Sequence, residues 1–123
     1  MAWLVAPPKA RGVRRAISSI SAKELADQVH GPEAPLVLDV RPPEAFSGAE
    51  GHIDGASLFP AEGFAERLPE LQGLEPRRFV VVSEDGRRAR QAARIMLAAG
   101  FLQVAVLDGG MRAWLAQRLP VHR

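Results

Sequence analysis

An α/β fold built on a mainly parallel sheet is predicted by three features of this chain. Buried-strand segments recur at 36–40, 79–82 and 103–107, short and largely apolar, without the strict alternation of a half-exposed strand. Segments of helical spacing are interleaved with them. Twice, a strand runs through glycine into a helix, at Gly86 and at Gly109-Gly110. Strands that alternate with helices imply a parallel sheet with helices on both faces.

The elements follow in order. Ser21-Ala22-Lys23-Glu24 is a capping box and opens a helix that runs to about Val29, where Gly31-Pro32 stops it. Leu36-Val37-Leu38-Asp39-Val40 reads as a strand buried on both faces. Pro42-Pro43-Glu44-Ala45-Phe46 starts a short helix, since proline is tolerated in a first turn. Residues 51–60 form a loop with a brief strand near Ser57-Leu58-Phe59, and 64–68 is a further short helix. After the strand at 79–82, residues 87–99 form the strongest helix, with Ala92, Ala93, Ile95, Met96 and Ala99 as its apolar face and Gly100 as its C-cap. The strand at 103–107 leads through Asp108-Gly109-Gly110 into a last helix carrying Met111, Trp114 and Leu115, with Trp114 expected in the core.

A chain of 123 residues fits one domain with a core that needs no staples. It contains no cysteine, which excludes disulfides, thiolate metal sites and a cysteine nucleophile. His30, His52 and His122 are scattered, without metal-ligand spacing, so neither a metal nor a cofactor is expected. Of the 16 basic residues, Lys9, Arg11, Arg14 and Arg15 fall before residue 16, unopposed by any acid. The remaining 12 basic and 14 acidic residues give the body a net −2. The chain therefore divides into a basic arm at 1–15, read as a solvated tail, and a domain at 16–123. Four arm charges are weak grounds for nucleic-acid binding. No apolar run is long enough to span a membrane, and the basic residues follow the first apolar stretch, the reverse of a signal peptide. A cytoplasmic location is the default expectation.

The segment Val80-Val81-Val82-Ser83-Glu84-Asp85-Gly86-Arg87-Arg88 is the candidate site. A strand entering a helix through a glycine turn leaves free N–H groups and a helix dipole that favour negative charge. Enzymes place nucleophiles and anions there. With it come Leu38-Asp39-Val40-Arg41, Glu44 and Phe46, then Gly51-His52-Ile53-Asp54-Gly55-Ala56, and later Gly100-Phe101, Leu107-Asp108-Gly109-Gly110, Ala113-Trp114 and Leu119-Pro120-Val121. In this order, over residues 17–121, these segments resemble the rhodanese (thiosulfate sulfurtransferase-like) domain family. The resemblance implies that Ser83, Glu84, Asp85, Gly86, Arg87 and Arg88 form the active-site loop. It implies supporting roles for Asp39, Arg41, Glu44 and His52 at the sheet edge.

Enzymes of that family carry a cysteine where this chain has Ser83. The cysteine takes a sulfane sulfur from a donor such as thiosulfate and passes it on from a persulfide. Gly86 and Arg88 follow the family pattern, whereas Glu84 stands where an arginine is common. Sulfane-sulfur storage needs a soft thiolate of low pKa, and a serine hydroxyl ionises far above neutral pH. Ser83 would need a positioned base to attack anything, and His52, the only candidate nearby in the family layout, is usually structural there. The four charged side chains of the loop sum to zero, although a thiosulfate site should be positive. The expectation is a catalytically inactive rhodanese-like domain, acting as a binding or regulatory module for a protein or small ligand at the loop. The alternative is a sulfurtransferase whose catalytic cysteine has been replaced by an engineered Ser83. Nucleic acid and membrane are not expected partners.

Overall fold

The computed structural model describes residues 16–123; the basic arm at 1–15 lies outside the described residues. The elements are β1 (Ser18–Ile20), α1 (Ala22–Gln28), β2 (Leu36–Asp39), α2 (Pro43–Phe46), β3 (Ser57–Leu58), α3 (Phe64–Arg67), β4 (Arg78–Val82), α4 (Arg87–Ala98), β5 (Gln103–Leu107) and α5 (Gly110–Ala116). A 3₁₀ turn, Leu68–Leu71, continues α3. The capping box forms as expected: Ser21 Oγ accepts from the Glu24 N–H, and Glu24 accepts from the Ser21 N–H, both at 3.1 Å.

The strands form one sheet in the order β1-β5-β4-β2-β3, and every described strand pairing is parallel. Side chains alternate across the sheet and build two cores. Leu38, Phe79, Val81, Val104 and Val106 pack with α3, the 3₁₀ turn and α4 on one face. Val37, Val80, Val82 and Leu107 pack with Leu25 of α1 and Met111 and Trp114 of α5 on the other. Trp114 is buried, as expected, and its indole N–H donates to the Pro120 carbonyl at 2.9 Å. No helix among the described residues is long and apolar enough to cross a membrane.

Two details differ from the sequence-based expectation. β1 carries no recognisable pattern because only Ile20 of its three residues is buried; its pairing with β5 makes it a strand. The buried stripe of α4 is Ala89, Ala92, Ala93, Met96 and Leu97, whereas Ile95 is 39% exposed and Ala99 is also outside the core. The true stripe keeps the i, i+3, i+4, i+7, i+8 phase. Ile95 lies off it.

Asp39 of β2 pairs with Val82 of β4, and Val81 with Val106 of β5. The carboxyl ends of the three central strands therefore reach one edge together. Connections leave β2 and β4 in opposite directions across the sheet, which makes this edge a topological switch point, the usual ligand crevice of open parallel sheets.

Candidate active-site loop

The 83–88 loop leaves β4 at that edge and closes on itself. Ser83 is 2% exposed, and its Oγ accepts the Gly86 N–H at 2.9 Å. Gly86 has φ +101°, a left-handed turn that favours glycine and aims the chain into α4. The Asp85 carboxylate accepts the Arg87 N–H at 3.0 Å and lies 3.2 Å from Arg87 Nε. These contacts hold the Asp85 carboxyl below the usual carboxylate range. The Arg87 N–H is the chief cause; partial desolvation opposes it, and the Arg87 side-chain hydrogen bond and the charges of Arg87 and Arg112 add to it. An amide at the start of α4 is thus already taken by an anion from the chain itself.

The other side of the loop is clamped to α5. That helix has no side-chain cap; instead its first N–H groups find the loop, Met111 donating to the Ser83 carbonyl at 2.9 Å and Arg112 to the Glu84 carbonyl at 3.0 Å. The approach requires Gly110, where a Cβ would lie 2.4 Å from the Ser83 oxygen and 2.6 Å from Glu84 backbone atoms, at φ +59°. Gly109-Gly110 thus does more than carry the strand into α5: Gly110 also clears the clamp on residues 83 and 84.

Around the mouth, Glu84, Arg87 and Arg88 are exposed and Asp85 is half-buried. With Ser83 and Gln91 they line an open cavity of about 550 Å³. A second cavity of about 230 Å³ lies beside it, where Arg88 meets Glu44, Glu62 and a wall of Pro42, Pro43 and Pro60. Glu44, expected to support the loop, and Glu62, which carries no sequence signal of its own, share this cavity with Arg88.

Asp39 and Arg41 form a buried ion pair that ties down the neighbouring segment. Arg41 Nη2 donates to Asp39 Oδ2 and to the Gly51 carbonyl, both at 2.9 Å. His52 Nδ1 lies 2.8 Å from the Phe46 carbonyl, and its ring stacks on Phe46 at 3.7 Å. A carbonyl only accepts, so Nδ1 carries the proton. Its backbone bridges His122. His52 is engaged there, and among the described residues no His, Asp or Glu side chain is hydrogen-bonded to the Ser83 hydroxyl. His30 and His122 do approach one carboxylate, Asp54, at 3.8 and 4.0 Å. Among the described residues no group of three or more His, Cys, Asp or Glu could hold a metal ion.

The family model for the Rhodanese-like domain matches residues 21–117, most of the chain. The chain belongs to the rhodanese-like domain family. It is 32% identical over 93 residues to the thiosulfate sulfurtransferase GlpE of Pseudomonas putida, covering 76% of this chain and 81% of that protein. It is 34% identical over 92 residues to YibN of Escherichia coli K12, covering 74% of this chain. Only 63% of YibN's length is spanned. Among solved structures, the Rhodanese-like domain of an Anabaena protein superposes with a TM-score of 0.74 at 29% identity, covering 85% of this chain and 78% of that one. A rhodanese-related protein from Thermoplasma volcanium gives 0.73 at 27%, with coverage of 85% and 97%. Some relatives of this rhodanese-like chain are thus named sulfurtransferases, while the chain itself has no cysteine and Ser83, where the resemblance places the nucleophile, is buried.

Proposed function

We propose that this rhodanese-like chain has exchanged sulfur transfer for recognition, serving as a non-catalytic binding or regulatory module. Its partner is a protein or small ligand that engages the mouth of the 83–88 loop. One observation carries the reading: two amides at the turn into α4 are bonded to the chain's own side chains, one of them to a carboxylate. Ser83 Oγ occupies the Gly86 N–H, and the Asp85 carboxylate occupies the Arg87 N–H. A donor such as thiosulfate would have to displace Asp85 and approach Glu84, with no thiol to receive its sulfur. The loop is nevertheless well built, since its carbonyls cap α5 and its amides open α4. A rigid, charged, solvent-facing loop at a sheet switch point suits recognition.

A second reading, a sulfurtransferase with an engineered serine in place of its cysteine, is favoured by the contact of Ser83 Oγ with the Gly86 N–H, which a thiolate would also use. A thiosulfate:cyanide assay on the chain as written tests the first reading. Thiocyanate formation at the uncatalysed rate is expected; turnover clearly above it would overturn the proposal.

A further inference from the structure

The outward face of α4 carries arginines that the fold does not use. Arg87, Arg90 and Arg94 stand at i, i+3 and i+7, all exposed, and the helix contains no acid. Arg87 meets Asp85 but remains 88% exposed. Among the described residues, Arg90 and Arg94 make no ion pair and no side-chain hydrogen bond. These charges suit the helix poorly. Cations in a first turn oppose the helix dipole, and arginines three and four residues apart repel one another. An anionic partner relieves both penalties.

We infer that this face docks an extended acidic segment of a partner protein, laid along α4 from the loop mouth. The inference rests on the reading of the 83–88 loop as a binding site and assigns its partner a chemistry. From Arg87 to Arg94 the stripe runs about 10 Å, the length of about three extended residues, and so matches a few successive carboxylates. Ile95, 39% exposed and one turn on from Gln91, offers an apolar contact beside it. Nucleic acid fits less well. Residues 16–123 carry 12 basic against 14 acidic groups, so the body has no general positive field.

The test uses the full chain and fluorescein-labelled octaglutamate at low salt, followed by anisotropy, with octaglutamine and oligothymidine as comparison probes. Octaglutamate should bind, octaglutamine should not, and Arg90→Glu/Arg94→Glu should weaken binding at least about tenfold. The same variant should keep or raise its thermal midpoint, since it removes the repulsion along α4, and this shows that the fold is intact. If it fails to fold, amide shifts in the unaltered chain decide: they should map to Arg90 and Arg94, and mapping elsewhere overturns the inference. Replacing Lys9, Arg11, Arg14 and Arg15 by serine should leave α4 binding in place. Affinity that follows the arm instead, or oligothymidine binding tighter than octaglutamate, would also overturn it. Sulfur transfer by the chain would remove the underlying reading of the loop separately, whatever octaglutamate does.

Discussion

Restoring the nucleophile should not by itself restore the enzyme. In Ser83→Cys the sulfur takes the place of Oγ against the Gly86 N–H, 2.9 Å from Oγ in the native loop. That contact lowers the thiol pKa from its reference of about 8.5, and the dipole of α4 acts in the same direction. Glu84 and Asp85 act in the opposite direction. With an effective dielectric between those of a protein surface and water, each neighbouring carboxylate opposes a unit negative charge by about 1 kcal/mol. Two such terms amount to about thirtyfold in rate. Asp85 also withholds the Arg87 N–H and side chain from a donor. Ser83→Cys/Glu84→Arg/Asp85→Ser should therefore exceed Ser83→Cys alone by about thirtyfold or more in kcat/KM for thiosulfate. A thiosulfate:cyanide assay on both variants reads the ratio directly. If the single variant came within about threefold of the triple, the acids would be bystanders, and an engineered serine in an otherwise competent loop would become the better reading.

Three further outcomes follow from the same contacts. Gly110→Ala should destabilise the domain by about 2–4 kcal/mol in urea unfolding, because its Cβ collides with the Ser83 and Glu84 backbone at a positive φ. Arg41→Ala should lose about 3–5 kcal/mol, since it leaves the Asp39 carboxylate buried and unpaired; a loss below about 1 kcal/mol would contradict the packing described. The Asp85 carboxyl, followed by carbon NMR, should titrate below the usual carboxylate range. Because its folded pKa is depressed, its contribution to loop stability is present above the unfolded value and is lost as pH falls through the folded one. Asp85→Asn should abolish that acid-side transition at the Arg87 amide.

The core was legible because its signals are local. Val80, Val81 and Val82 form an uninterrupted buried run, and Ser21 with Glu24 is a self-contained cap. Ala89 escaped notice because Arg87, Arg88 and Arg90 surround it, and a small residue among arginines does not look buried. β1 depends on a partner 87 residues away, Ser18 pairing with Ala105, and its own three residues bury only Ile20. The loop's place between a buried strand and the strongest helix was legible, but its internal hydrogen bonding was not. Nothing in the string Ser-Glu-Asp-Gly-Arg-Arg says that Asp85 turns back onto the Arg87 N–H, or that residues 83 and 84 cap a helix more than twenty residues later. Those are consequences of three strands ending at one edge.

In the native loop the Gly86 and Arg87 amides are filled by the chain's own Ser83 and Asp85. Titrating the unaltered chain with thiosulfate while following the amide resonances of Gly86 and Arg87 tests this most directly. No saturable shift is expected at either amide, and one should appear at Arg87 in Asp85→Ser. Saturable shifts at both amides in the unaltered chain would contradict it, since the loop would then be open to the donor whose chemistry it is held to have lost.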